Sequence, residues 1–279
     1  MEEYFEMQFI FYMVMAGVTG LMVGSFLNVC IYRLPRGRSI VAPGSACPEC
    51  GHPLAWWENI PLLSWAILRG RCRSCKIRIS PRYFLVELLS GAAACLLFWE
   101  FGGNLVQFIY YYIFFCLLVI VFFIDLEHWI IPDSINLTGV IAGVIGGFFI
   151  PVGFSKPVPF FFPEGGLSSI GGAVAGYIFF GMIAVTASLL LRQEAMGYGD
   201  VKFAAMIGAF LGFSVKLPVG FILAFLIGGL FSIPFLLIGR KRSKEPIPFG
   251  TFMAIGAFIA LLWGDKLFNW YKNLSGGVF

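Results

Sequence analysis

Four cysteines stand in two pairs, CPEC at residues 47–50 and CRSC at residues 72–75. Each C-x-x-C forms a tight knuckle that aims two thiolates at one ion, and two knuckles close a tetrahedral four-sulfur shell suited to zinc. Such a shell leaves no position for water. Cys47, Cys50, Cys72 and Cys75 are therefore expected to hold structural zinc, the competing reading being a redox dithiol. Acidic residues form a second group: FFIDLEHWIIPD carries Asp125, Glu127 and Asp133, and RQEAMGYGD carries Glu194 and Asp200. If Asp125 and Asp200 meet, the two cannot both ionise comfortably and share a proton. One carboxylate then takes a proton from water while the other, protonated, polarises a peptide carbonyl, as in an aspartic protease. Asp133 and Glu194 read instead as caps of the helices that follow them. His128 reads as a polar boundary residue, and Glu127 is open.

The elements that must hold these groups are membrane helices. The chain is 59% hydrophobic and 12% charged, against roughly a quarter charged for a soluble domain. Its apolar residues come in blocks of about 20, the length of a helix that crosses roughly 30 Å of hydrocarbon. A soluble fold is excluded. An all-α polytopic protein is expected, with about eight transmembrane helices near 8–31, 83–101, 105–124, 134–150, 167–191, 201–213, 217–238 and 249–268. The sixth is short and must be continued by its polar N-terminal turn or sit in a thinned bilayer. Glu2, Glu3 and Glu6 precede the first span, so it reads as a retained helix rather than a cleaved signal.

Fifteen of the nineteen basic residues fall within residues 33–82, 192–202 and 240–244, leaving Lys156, Lys216, Lys266 and Lys272 on the other side. The positive-inside rule makes the basic face cytoplasmic, with both termini opposite. The paired cysteines then lie where disulfides are rarely maintained. Cys30, Cys95 and Cys116 fall in spans as packing groups. Asp125 and Asp200 fall at the same cytoplasmic boundary, where a carboxylate is costly unless paired, solvated or used. Gly197 and Gly199 let the backbone turn sharply and approach another segment closely, presenting Asp200 at the head of a helix. Glu87, inside the second span, faces a cavity or a partner such as Arg82. Three regions follow: the first span at 1–32, a zinc-binding loop domain at 33–82 and a polytopic domain at 83–279. The loop's apolar stretch, from Trp56 to Leu68, packs over the knuckle or lies at the membrane surface.

With these residues the chain resembles the bacterial type IV prepilin peptidases, also called leader peptidase/N-methyltransferases. The motifs that carry the resemblance are GSFLNVCIYRLPRG (24–37), the two cysteine pairs, ENIPLLSW (58–65), RYFLVELLSG (82–91), DLEHWIIPD (125–133) and GYGDVK (197–202). The resemblance implies two activities at the inner membrane of bacteria. The first cleaves prepilins and pseudopilins between a basic leader and a hydrophobic N-terminal helix, with Asp125 and Asp200 as catalytic aspartates. The second methylates the new N-terminus from S-adenosylmethionine, an activity associated with the cysteine-bearing loop. The acidic cluster is expected to receive the leader and the Arg-rich loop to meet lipid phosphates. No nucleic-acid partner is expected. No G-x-G-x-x-G follows a strand, so the methyl-donor site has only Trp57 and Glu58 as candidates, for stacking on adenine or meeting a sulfonium. Where the family often reads PFGPF, this chain has Pro248, Phe249, Gly250, Thr251 and Phe252, a change expected to carry no chemical consequence. Other readings are a peptidase without methyl transfer, a transporter with acidic gates and a secretion scaffold. The cysteine module and the absence of internal repeats disfavour the transporter, and the two aspartates disfavour the scaffold.

Overall fold

The computed structural model of the chain describes residues 2–150, 165–192, 196–237 and 248–275. Glu194 and the basic cluster Arg240, Lys241, Arg242 and Lys244 lie outside the described residues, as does Lys156. The elements are α1 (Glu2–Arg33), α2 (Leu63–Ile67), α3 (Pro81–Phe101), α4 (Leu105–His128), α5 (Asp133–Gly147), α6 (Gly166–Leu191), α7 (Tyr198–Leu211), α8 (Lys216–Leu237) and α9 (Phe249–Leu274). Among the described residues no β-strand forms, and two isolated bridges lie in the cysteine module. Helix starts follow local chemistry. Ser80 caps α3 ahead of Pro81, its hydroxyl accepting from the Arg82 N–H at 3.3 Å. Asn104 caps α4 by accepting from Val106 and Gln107 N–H at 3.1 and 3.2 Å.

Five helices, α1, α3, α4, α6 and α9, are long and apolar enough to cross a membrane. The chain is a multi-pass membrane protein. α5 and α7 have 15 and 14 residues, which at 1.5 Å per residue is about 22 Å, short of the hydrocarbon thickness. α7 is the expected short sixth helix, and its polar N-terminal turn does continue it, back to Tyr198.

The chain divides into two compact units, residues 1–120 and 121–279. In the first, α1 lies on α3 along Gly17, Gly20 and Gly24; a Cβ at Gly20 would come within 2.6 Å of Ala94 Cβ. In the second, α6 meets α7 backbone to backbone. A Cβ at Gly172 would run into the Gly208 carbonyl, one at Gly208 into the Gly172 carbonyl, and one at Gly176 into the Ala204 carbonyl. Gly172 with Gly176 and Ala204 with Gly208 are small residues spaced by four, which lets membrane helices approach closely. α5 covers another side of α7, where Gly143 faces Ala209. Phe203, Met206, Ile207 and Phe210 are fully buried, so α7 is enclosed all round by protein, which is how so short a helix is accommodated. Gly208→Val is expected to cost at least about 3 kcal/mol, since neither helix backbone can yield. Gly181→Ala should be silent, because its Cβ would make an ordinary 3.8 Å contact with Val201. Thermal unfolding of both variants in detergent checks this.

Candidate active site and metal centre

The four cysteine sulfurs lie within 4.8 Å of one another, with Cys47 and Cys75 at 3.9 Å. Ligands at about 2.3 Å around a tetrahedral zinc sit about 3.8 Å apart, so the cluster fits the metal. Two equivalent turns build it. Cys47 N–H donates to His52 C=O at 2.9 Å and Cys72 N–H to Ile77 C=O at 2.9 Å. Bridges Ala46–Pro53 and Arg71–Arg78 close each turn. Gly51 and Lys76 both adopt the left-handed conformation, with φ of 69° and 61°. The Cys75 and Ser74 N–H groups draw the Cys72 thiol down to about 6, as hydrogen bonds to the other sulfurs also do. At Cys75 the Ile77 N–H favours the thiolate, but burial and the hydrogen-bonded sulfurs of Cys50, Cys72 and Cys47 outweigh it and raise the thiol to about 11. A cluster that ionises one sulfur readily and resists ionising the next calls for a cation at its centre.

Around this knuckle, Glu58 lies in a helical turn at Trp56–Asn59. Its Oε2 accepts from the Ala55 N–H at 2.9 Å and faces His52 Nε2 at 3.6 Å. Its Oε1 is buried and has no hydrogen-bond partner among the described residues. Arg73 lies over the Trp57 ring, 4.9 Å from its centroid. Trp56, Leu63 and Ile67 stay exposed rather than covering the cysteines. Glu87 takes the Leu62 N–H on Oε2 at 2.8 Å, fixing a residue at φ 60° that closes the Pro61–Leu62 turn.

The second unit holds the aspartates. Asp125 lies in the last turn of α4 and is buried. Trp129, at φ 56°, ends that helix, its N–H donating to the Asp125 C=O at 2.9 Å. Asp125 Oδ2 accepts from the Thr251 N–H at 2.9 Å and lies 3.3 Å from the Thr251 hydroxyl. The Gly250 N–H also points at this carboxylate. Asp125 thus caps the first turn of α9, where backbone N–H groups have no intrahelical acceptor. Asp200 occupies the first turn of α7 and accepts from the Gly197 N–H. Each carboxylate therefore sits on a helix N-terminus, and Asp125 is near enough to Asp200 to act on it electrostatically.

Ile131 joins the two helix starts. A Cβ at Gly199 would lie 3.2 Å from Ile131 Cβ, and one at Gly250 would lie 2.7 Å from its Cδ1 and 3.1 Å from Asp125 Oδ2. The close approach expected at Gly199 is present. Neither Gly197 nor Gly199 uses the positive φ open to glycine, and Gly199 is already helical. Asn136 Nδ2 donates to the Gly199 carbonyl at 3.3 Å, holding α5 to the start of α7. Asp133 does not cap α5, whose N-cap is Pro132; its exposed carboxylate meets Lys202 Nζ at 2.7 Å. Glu127 is exposed and His128 half-buried at the end of α4. Thr251 contradicts the expectation that the PFGTF departure has no consequence. A proline at 251 would offer neither the N–H nor the hydroxyl that Asp125 accepts.

The sequence profile of the bacterial Peptidase A24 N-terminal domain matches residues 18–101, and that of the type IV leader peptidase family matches residues 112–233. The prepilin leader peptidase/N-methyltransferase of Aeromonas salmonicida (strain A449) is 35% identical over 97% of this chain and 94% of its own length. The protein of the same name from Pseudomonas putida is 33% identical over 95% of this chain and 96% of its own. That of Myxococcus xanthus (strain DK1622) is 44% identical over 72% of this chain and 57% of its own. No solved structure matches the chain.

Proposed function

This chain belongs to the type IV leader peptidase family, and on that premise we propose that Asp125 and Asp200 are its two catalytic groups. The protein cleaves the leader of type IV prepilins and N-methylates the cleaved product, a bifunctional peptidase and methyltransferase. What supports the residue assignment is a single arrangement: two carboxylates on two helix N-termini, one felt electrostatically by the other. One carboxylate removes a proton from water as the water oxygen adds to the scissile carbonyl carbon, and the other gives its proton to the carbonyl oxygen. The diol then collapses. The proton taken from water passes to the leaving nitrogen, the C–N bond breaks, and a diol proton returns to the second aspartate. Replacing either aspartate by asparagine and measuring leader release tests the assignment.

Cys47, Cys50, Cys72 and Cys75 would hold a zinc ion that supplies folding energy to the loop domain at 33–82, which carries methyl transfer, while 83–279 carries cleavage. Methylation needs a methyl donor, here S-adenosylmethionine, which supplies an electrophilic methyl group. Trp57, whose ring already accepts a guanidinium, suits a sulfonium. Glu58 offers Oε1, a buried acceptor without a partner among the described residues. α5, α7 and α8 would complete eight spans, with the basic loops and both aspartates on the cytoplasmic side of the bacterial inner membrane.

The prepilin's hydrophobic N-terminal helix would lie in the bilayer, with its basic leader beside Glu127, Asp133 and Glu194, and the Arg-rich loop would meet lipid phosphates. A leader with its basic residues changed to acidic ones should then raise KM for cleavage about tenfold or more at low salt. Steady-state cleavage of paired peptides checks this, and an unchanged KM would remove the acidic cluster from leader recognition.

A further inference from the structure

The two aspartates are held unequally, and the inequality separates their roles. Thr251 turns both of its donors on Asp125 Oδ2, the N–H at 2.9 Å and the hydroxyl at 3.3 Å. The hydroxyl has one proton and a second acceptor, the Phe122 carbonyl at 3.4 Å. An ionised carboxylate is the stronger acceptor, so it claims that proton. With the Gly250 N–H also aimed at the group, the first turn of α9 presents three donors to Asp125. It presents no acidic residue. Asp200 has the Gly197 N–H, and no side-chain hydroxyl donates to it among the described residues. Donors that cannot accept favour the charged form of the group they face. Both Thr251 donors meet Oδ2, which leaves Oδ1 as the oxygen free to work.

We propose that Asp125 enters the reaction as the ionised carboxylate and acts as the base through Oδ1, that Asp200 brings the proton, and that Thr251 is the positioning residue that sets this order. The proposal rests on the two aspartates being the catalytic pair. In the addition step the proton leaves water for Asp125 Oδ1, and the Asp200 proton goes to the carbonyl oxygen. In the collapse Asp125 returns its proton to the leaving nitrogen and Asp200 regains one from the diol. Oδ2 stays bonded to Thr251 throughout. Asp125 acts electrostatically on Asp200 across neighbouring helices, so the limbs of a pH–rate profile belong to the pair. Removing a donor from Oδ2 still acts selectively. It raises the acid limb if Asp125 is the base, and the basic limb if Asp125 is the acid.

The experiment is the pH profile of kcat/KM for prepilin peptide cleavage by the full chain in detergent. Thr251→Val removes the hydroxyl, Thr251→Pro removes hydroxyl and N–H together, and Thr251→Ser keeps both. The acid limb should move up by about one pH unit in the valine variant and further in the proline variant, with serine at the wild-type position. Methylation of a pre-cleaved peptide should be unchanged in all three, which separates positioning from misfolding. A shift of the basic limb reverses the roles. An unmoved profile, or equal loss of cleavage and methylation, removes Thr251 from the mechanism. Asp125→Asn is assayed alongside. If it still cleaves, the pair itself is wrong; if it is inactive while the profiles stay fixed, only the ordering fails.

Discussion

Asp125→Asn and Asp200→Asn are each expected to lower leader release at least about a thousandfold, since on the proposed assignment each removes one of two proton-transfer groups that must act together. Asparagine is nearly isosteric with aspartate. At 125 its carbonyl oxygen can still accept from the Thr251 N–H, and at 200 it can still accept from the Gly197 N–H. Both variants should therefore fold, embed in detergent and methylate a pre-cleaved substrate at the wild-type rate. Mass spectrometry of a prepilin incubated with enzyme and S-adenosylmethionine reads both activities at once. Cleavage retained by both variants would leave the carboxylates a structural role, as caps of α9 and α7.

The second large effect concerns the cysteines. The Cys72→Ser, Cys75→Ser double variant breaks one of the two knuckles and should lose bound zinc, read as metal per chain by elemental analysis. Structural zinc contributes on the order of 10 kcal/mol to small modules, and this one has little core of its own. Trp56, Leu63 and Ile67 remain exposed. The turn carrying Trp57 and Glu58 should come apart with the metal, and methyl transfer with it. Cleavage should persist within about threefold, because Asp125, Asp200 and the α9 start all lie in the other compact unit. Full methylation by a zinc-free chain would place methyl transfer outside the loop. Equal loss of both activities would mean that the module is needed for folding of the whole.

Which features are legible in the amino-acid sequence alone follows from the range of the interactions involved. A C-x-x-C turn is local: two cysteines three apart and a left-handed residue after the second are enough, so both pairs are legible from spacing. Membrane helices are legible for the same reason, because a bilayer imposes its own length on each apolar segment. Left-handed Lys76 is the one part of the knuckle that spacing conceals, since a lysine there does not announce φ 61°. The aspartates are legible as a pair only through the order of the motifs around them.

The environment of the pair is not legible. Thr251 is 126 positions from the carboxylate it serves, and its residue type suggests nothing beyond a helix start. Ile131 and Gly250 matter because three segments converge on them, and Glu58 and Glu87 because of which backbone N–H each one meets. α7 is too short to read as an ordinary span, and only its enclosure by other helices, through glycines that admit a backbone where a Cβ would clash, makes it a stable support for Asp200. Chemistry written in local spacing survives in one dimension. Which donors surround each carboxylate, the observation on which the proposed order of the two aspartates rests, depends on helix ends that only packing brings together.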